Sequence, residues 1–208
     1  MIKYFLIKLN EIRKSISKGT FKKEVTSLFK TEVVPVEKDL QNITEVPNRK
    51  IDELKLVIKD TKQEDYKREK YKFPDKIRKN KAELYYKKDF NGILILDGNN
   101  VLGHIWYTDL KNKTIHQNIK LLKLEMSPEK VYLFDLFVVE KIRGNNFSTN
   151  FMNNSLFSLQ MKGYKKAYGY FSVDNLQALW VHRLLGYKEL KHLIWKRRLF
   201  SKISIPVK

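Results

Sequence analysis

Residues 131–149 have the sequence VYLFDLFVVEKIRGNNFST, and they carry the strongest structural signal in the chain. The segment 131–139 is apolar except for Asp135, which is typical of a β-strand buried on both faces. A turn rich in Gly and Asn follows, and beyond it apolar residues at helical spacing predict a helix that ends before Gly163. The turn exposes backbone N–H groups and the helix dipole adds partial positive charge. This junction therefore predicts an anion site suited to a diphosphate.

Strands and helices alternate on both sides of this junction. The predicted strands, in which apolar residues alternate or run unbroken, are 54–58, 92–96, 101–107, 131–139, 166–171 and a final strand or hairpin within 187–200. The predicted helices after residue 60 are 62–88 with a break at Pro74, the segment before Gly163, and a helix to Leu185 capped by Asp174 or Asn175. This pattern predicts an α/β fold of the α+β type, with a mixed, mostly antiparallel sheet and helices on both faces.

The first part of the chain has a different character. Residues 1–45 are predicted to be an N-terminal extension, and residues 46–208 the α/β domain. Within the extension, residues 2–18 have apolar positions at helical spacing, so we expect a helix that packs on the domain. Binding of this basic amphipathic segment to a membrane surface is the alternative. Residues 33–36 predict a short extended segment, in which Pro35 favours the edge of a sheet.

Composition excludes several classes of site. The chain of 208 residues has no cysteine, which excludes a disulfide framework, a thiol nucleophile and a cysteine zinc site. Its four histidines lack metal-ligand spacing, so we expect no structural or catalytic metal. We see neither a convincing signal peptide nor an apolar stretch of about 18 residues that would span a bilayer, so the expected location is the cytoplasm.

The formal net charge of +19 would attract anions such as phosphate groups, nucleic acid, anionic lipid or an acidic protein. Only 8 of the 42 basic residues are arginine, and the lysines are spread along the chain. A lysine-rich composition bias is therefore the favoured explanation. Nucleic acid stays open as a partner but is not favoured, because clustered basic residues with stacking aromatics are missing.

A second segment, residues 175–187 with the sequence NLQALWVHRLLGY, follows the next predicted strand. Together the two segments resemble the GNAT superfamily of N-acyltransferases over about residues 90–200. The family has a strand ending in valine and then R/Q-x-x-G-x-G/A, which Arg143, Asn146 and Ser148 occupy here. It later has N-x-x-A, an aromatic residue or histidine, and Gly-Phe or Gly-Tyr. The matching residues are Asn175, Ala178, His182, Gly186 and Tyr187.

The resemblance implies an N-acetyltransferase that moves an acyl group from acetyl-CoA, or another acyl-CoA, to a primary amine by direct attack. The pantetheine would lie against Phe137, Val138 and Val139, where two parallel strands diverge. The diphosphate would lie on the turn and the first helical residues: Arg143, Gly144, Asn145, Asn146, Phe147, Ser148 and Thr149. Asn175 would contact the cofactor or orient the following helix.

Catalytic roles follow less directly. His182 stands where many members have a tyrosine that protonates the leaving thiolate, so it is the candidate acid. Candidate bases are Asp135 and Glu140, although parity along the strand predicts that Asp135 lies opposite Tyr132 and Phe134 as a buried, paired carboxylate. The residues expected to line the acceptor pocket are Tyr132, Phe134, His104 and Tyr107.

The sequence leaves the acceptor open between a small molecule and a peptide amine, and it leaves a homodimer open. Three alternatives to a free acetyltransferase also stand. The first is a GNAT-fold module that binds CoA without catalysis. The second is an acyltransferase that acts on tRNA or ribosomal targets, for which the charge would aid recognition. The third is a membrane-associated enzyme docked through residues 2–18.

Overall fold

The computed structural model describes residues 30–144, 146–198 and 201–207, so the helix predicted at 2–18 lies outside the described residues. The strands are β1 (Lys30–Asp39), β2 (Val57–Thr61), β3 (Asn91–Asp97), β4 (Asn100–Thr108), β5 (Lys130–Val138), β6 (Lys166–Ser172), β7 (Lys188–Glu189), β8 (Leu193–Arg198) and β9 (Ser201–Pro206). The helices are α1 (Arg49–Glu53), α2 (Gln63–Glu69), α3 (Lys76–Lys87), α4 (Gln117–Leu121), α5 (Phe147–Met161) and α6 (Leu176–Leu184). A 3₁₀ helix, Glu140–Ile142, joins β5 to α5.

The strands form one sheet in the order β2-β3-β4-β5-β6-β1-β8-β9, and β7 pairs with β1. Neighbouring strands are antiparallel except for β5 and β6, which run parallel. A parallel pair needs a crossover connection, and α5 supplies it. The predicted mixed, mostly antiparallel α/β sheet is confirmed.

Helices cover both faces of the sheet. On one face α5 packs through Phe147, Phe151 and Leu156 in a cluster that includes Leu133 of β5. On the other face α3 and α4 enclose an aromatic cluster that contains Tyr86, Trp106, Tyr132 and Phe134. Burial of each such side chain contributes about 1.5–3 kcal/mol, so these two clusters are the main stabilisation of the fold.

Strand β1 lies inside the sheet although the sequence places residues 30–39 in the extension. The prediction that Pro35 favours an edge is wrong, because β1 pairs with β6 on one side and with β7 and β8 on the other. The β8 ladder ends at Val33 and the β7 ladder begins at Val36, while the carbonyl of Pro35 accepts a hydrogen bond from the Leu190 N–H. Pro35 has no N–H to donate in return, so it contributes only its carbonyl on this side, between the two ladders.

Two predicted boundaries shift in the region before β3. The strand predicted at 54–58 begins at Val57, after the short helix α1 and a turn in which Lys55 has a φ of 50°. The long helix predicted at 62–88 divides into α2 and α3. Lys70 adopts the left-handed conformation at the end of α2, and Pro74 precedes the N-cap Asp75 of α3, so the predicted break is confirmed.

Candidate functional site

The sheet opens between β5 and β6. Their ladder consists of three pairs and ends at Tyr132 and Tyr168, although β5 continues to Val138 and β6 to Ser172. Beyond this point β5 stays paired with β4 and β6 stays paired with β1. We call the space between residues 133–138 of β5 and 169–172 of β6 the wedge. Backbone groups that face the wedge have no ladder partner there in the described strands, which makes them available to a bound molecule.

A β-bulge in β5 shapes one side of the wedge. Trp106 pairs with Phe134 and His104 pairs with Phe137, so Asp135 and Leu136 together oppose a single residue of β4. Asp135 has a φ of 51°, a left-handed conformation that costs a non-glycine residue about 1–2 kcal/mol. The extra residue changes the alternation of side chains along the strand.

The bulge puts Asp135 on the face that the parity argument excluded. Its carboxylate Oδ2 accepts a hydrogen bond of 3.0 Å from the hydroxyl of Tyr85, whose ring contacts Phe134 edge-on. Asp135 therefore lies on the same face as Phe134, and the prediction that it lies opposite is wrong. The sequence carries no signal for a bulge here, because the strand has neither Gly nor Pro at this point.

The surroundings of Asp135 keep it charged. Burial alone would raise its pKa, but the charge of Lys81, the neighbouring His104, the hydrogen bond from Tyr85 and the charge of Arg78 together outweigh burial, and the pKa is lowered. The Lys81 Nζ lies 3.9 Å from Oδ2. Asp135 is thus a partly buried carboxylate, ionised at neutral pH, on the aromatic face of the sheet beside the wedge.

His104 and Phe137 continue this face. The His104 ring lies 5.4 Å from the Phe137 ring, and the guanidinium of Arg78 lies 3.2 Å above Phe137. Burial lowers the pKa of His104 to about 4, so the imidazole is neutral near pH 7. Its Nδ1 has no hydrogen-bond partner within the part of the chain that the structure describes.

The predicted pocket residues are only partly brought together. The rings of Tyr132 and Phe134 stack with their centres 5.7 Å apart, so both residues belong to the aromatic cluster under α3 and α4. The Asn118 side chain donates a hydrogen bond to the Tyr132 hydroxyl. Tyr107 lies on the opposite face, because neighbouring residues of a strand point in opposite directions. Its hydroxyl donates to Asp60 on that opposite face, so Tyr107 does not line the same pocket as His104.

The turn before α5 is compatible with an anion. Gly144 has a φ of 98° and Asn146 a φ of 59°, so Asn146 adopts the left-handed conformation that Asn tolerates. The Asn146 side chain makes no capping hydrogen bond, which leaves the helix N-terminus without a cap from this residue. Lys50 of α1 donates to the carbonyl of Ile142 at 3.2 Å, and so adds a positive charge beside the turn. Asn145 lies outside the described residues.

Of the three residues predicted to contact the pantetheine, Val138 is the one whose backbone N–H faces the wedge. The N–H of Val139 donates to Leu102 of β4 at 2.8 Å, so the N–H and C=O of Val138, one residue earlier, point away from β4 and toward the wedge. The Val138 carbonyl accepts a hydrogen bond of 2.8 Å from Arg143 Nε. This bond holds Arg143 at the mouth of the wedge, and the Phe137 amide, by the same alternation, faces β4.

The α6 residues have supporting roles in this geometry. The Asn175 side chain caps the helix by accepting from the Ala178 N–H at 3.1 Å, so it orients α6 as predicted. His182 Nδ1 lies 2.7 Å from the Ala178 carbonyl. A carbonyl only accepts, so Nδ1 carries the proton and the neutral ring offers Nε2 only as an acceptor. Burial lowers the His182 pKa more than this bond raises it, so the geometry does not support the acid role predicted for His182.

Three further expectations concern Glu140, a metal site and a membrane-spanning helix. Glu140 is exposed at the start of the 3₁₀ helix, and the structure does not bring it together with Asp135. Within residues 30–144, 146–198 and 201–207, no group of three or more acidic or histidine side chains is arranged to hold a metal ion. None of the helices in those ranges combines the length and apolar character needed to cross a bilayer.

Sequence reasoning missed the contribution of α3. Arg78, Lys81 and Tyr85 have spacings of three and four residues, which places them on one side of the helix toward β5. This spacing is visible in the sequence, but no pattern there shows that this charged helix packs on β5. The missed residues set the charge and orientation of Asp135.

Comparisons with known proteins show which solved structures share this architecture. No protein-family model matches the chain, and a search of curated proteins finds no match. Among solved structures, the glucosamine N-acetyltransferase region of a fungal multi-domain β-N-acetylglucosaminidase superposes with a TM-score of 0.54 and 16% identity, over 86% of this chain and 22% of that one. A GCN5-related N-acetyltransferase from Sphaerobacter thermophilus gives 0.51 and 9%, over 82% and 54%. A putative GNAT-family acetyltransferase from Novosphingobium aromaticivorans gives 0.50 and 7%, over 79% and 62%.

The chain therefore has the fold of the GNAT acetyltransferases, and the resemblance is confirmed at the level of the fold. It spans less than two thirds of the length of each of these three chains. At such low sequence identity the likeness shows a shared architecture alone. The reaction must therefore be inferred from the residues of the site.

Proposed function

We propose that this protein is an N-acyltransferase that moves an acyl group, most simply acetyl, from a coenzyme A thioester to a primary amine. The observation that carries the proposal is the wedge between β5 and β6, which opens directly before the turn at 143–149. An open sheet provides unpaired strand amides, and the adjacent helix N-terminus provides a site for phosphate. A CoA thioester has an amide-rich arm joined to a diphosphate, which is the same order of groups.

The residues present fit this co-substrate. The Val138 N–H points toward the wedge, where it would pair with an amide of the pantetheine arm. The N-terminus of α5 lacks a side-chain cap from Asn146, and Arg143 and Lys50 add positive charge nearby. The bound thioester supplies an activated acyl carbonyl. The chain's own task is to hold it and to position the amine.

Asp135 is the proposed amine-binding group and proton acceptor. Its lowered pKa keeps it anionic at neutral pH, which favours binding of an ammonium group. The ammonium first gives one proton to the carboxylate of Asp135, which frees the nitrogen lone pair. The nitrogen then forms a bond to the acyl carbon and the carbon–sulfur bond breaks. The second proton of the nitrogen goes to the leaving thiolate, which departs as free thiol. A carboxylate of low pKa is a weak base, so the rate should rise with pH as more of the amine enters unprotonated.

Two measurements test the proposal. Acetyl-CoA that binds the folded state should raise the melting temperature, since such a ligand stabilises by mass action. Release of free thiol from acetyl-CoA should then depend on an added amine, chosen from a panel of small-molecule and peptide amines. Binding without thiol release under any amine would leave a CoA-binding module, and the absence of any thermal shift with acetyl-CoA and longer acyl-CoAs would contradict the proposal.

A further inference from the structure

The outer face of α6 carries a stripe of exposed apolar side chains. Leu176, Trp180 and Leu184 are 62%, 60% and 65% exposed. They are spaced four residues apart, so they form one line along the helix. We call these three residues the α6 stripe.

The opposite face of α6 is also apolar. Ala178, Leu179, Val181 and Leu185 pack against the core of the sheet. α6 therefore has apolar side chains on two faces, and only the inner face is covered within the described structure. Three large apolar side chains in a line are more than the scattered exposure that a monomer usually shows.

Charges around the stripe select the kind of surface that would cover it. Arg183 lies between Trp180 and Leu184 in sequence and is exposed, with an ion pair to Glu189 at 3.1 Å. Beyond the C-terminal end of the helix, Lys38 approaches Gly186 and Lys188 is exposed. The C-terminal end of the stripe thus carries cations, of which Arg183 pairs with Glu189 and Lys188 lies 3.9 Å from Glu37, and Asp174 is exposed before its N-terminal end. The protein as a whole has a formal net charge of +19. This charge opposes contact with a second copy of the chain and favours an anionic surface.

We propose that the α6 stripe docks the protein on an anionic lipid surface. Leu and Trp side chains on one side of a helix enter the boundary between headgroups and acyl chains, and neighbouring Lys and Arg residues contact anionic headgroups. This inference stands on α6 alone and is independent of the proposed acyl transfer.

Vesicle flotation of the full chain tests the docking. The protein should float with vesicles that contain equimolar phosphatidylglycerol and phosphatidylcholine, and not with phosphatidylcholine alone. The triple variant Leu176→Ser, Trp180→Ser, Leu184→Ser should lose about tenfold or more in partitioning, because each side chain contributes apolar area. Met161→Ser is the matched control, since Met161 is 71% exposed but lies on α5, and it should bind like the wild type.

Tryptophan emission gives a second readout. Trp106 and Trp195 are 1% and 4% exposed, so the solvent-exposed emission comes from Trp180. Subtraction of the Trp180→Phe spectrum should show a shift to shorter wavelength when anionic vesicles are added, together with protection from a soluble quencher.

Four results would overturn the docking. The first is that the protein does not float with anionic vesicles. The second is that the triple variant floats as well as the wild type, which would mean that charge alone holds the protein. The third is protection of Trp180 from the quencher in dilute protein without vesicles, which would mean that the chain covers its own stripe, and the fourth is self-association that depends on the stripe, which would identify a second copy as the occupant.

Discussion

The hydroxyl of Tyr85 donates a hydrogen bond of 3.0 Å to the carboxylate of Asp135, and so links helix α3 to the bulge of β5. The bond fixes the direction of the carboxylate and helps to keep its pKa low. It also explains how a charged side chain is tolerated within a largely apolar strand, since a buried carboxylate needs donors and opposite charge.

Removal of this bond should change the pH profile. Tyr85→Phe keeps the ring that packs on Trp106 and Phe134 but removes the donor, so the pKa of Asp135 rises. We expect the acid limb of the kcat/KM profile to move to higher pH. Tyr66→Phe is the matched control, because the Tyr66 hydroxyl bonds Glu83 at 3.5 Å rather than Asp135. A Tyr85→Phe profile that overlays the wild type would contradict the role of the bond.

Loss of the Asp135 charge should reduce turnover and spare co-substrate binding. Asp135→Asn keeps the side-chain volume but cannot accept the proton or attract an ammonium, so kcat/KM for the amine should fall by about 10²-fold or more. The Kd for acetyl-CoA, measured by calorimetry, should stay near the wild-type value. Asp60→Asn serves as a control on the other face, where Asp60 bonds Tyr107. Undiminished amine turnover in Asp135→Asn would remove Asp135 from the reaction.

The phosphate turn should be sensitive to its backbone conformation. A Cβ at Gly144 would contact nothing within 4 Å, so Gly144→Val acts through its φ of 98° and not through a clash inside the protein. We expect the Kd for acetyl-CoA to rise about tenfold, as the turn shifts to relieve the strain. Gly98→Val provides a closely matched control, since Gly98 also has a positive φ and open space but lies in the β3–β4 hairpin.

Both glycine variants should lose some stability for the same reason. Both have a positive φ, 98° at Gly144 and 55° at Gly98, but only Gly144 lies beside the wedge, so the comparison separates a general effect of strain from an effect on binding. If Gly98→Val weakens acetyl-CoA binding as much as Gly144→Val does, the turn at 143–149 is not the binding element.

Stability should fall in mild acid because of His104. Its folded-state pKa of about 4 lies below the ordinary value of 6.5, so the unfolded chain binds the proton first between these two values. The free energy of unfolding should therefore decrease as pH falls from 6.5 toward 4, by about 3 kcal/mol from this residue, and His182 acts in the same direction.

Denaturant titrations over this pH range measure that loss. His104→Phe should show a shallower dependence on pH than the wild type, because it removes the buried group that must protonate. An unchanged slope in His104→Phe would show that the imidazole is not held neutral by burial.

The sequence predicted the parts of the fold that depend on local patterns. The buried strand β5, the Gly-Asn turn and the capped helix α6 follow from hydrophobic runs and turn chemistry, and all three are present. Local patterns could not predict that β1 lies between β6 and β8, because pairing between distant parts of the chain decides which strand fills that position. Pro35 pointed to an edge and is instead accommodated by a gap between two ladders.

The candidate site divides in the same way. The turn before α5 follows from local turn chemistry, whereas the opening between β5 and β6 was expected from the resemblance to the GNAT superfamily. The face on which Asp135 lies depends on a bulge that one extra residue creates, and no local signal marks it. Tyr107 was misplaced for a related reason, since the prediction grouped it with His104 without regard to strand alternation.

The most direct test of the account is amide hydrogen exchange with and without acetyl-CoA. We predict slower exchange in peptides that cover residues 136–150, where the wedge amide of Val138 and the start of α5 would bind the co-substrate, and unchanged exchange in β2 (57–61) and β3 (91–97). Unchanged exchange across 136–150 at saturating acetyl-CoA, or protection confined to another part of the sheet, would contradict it.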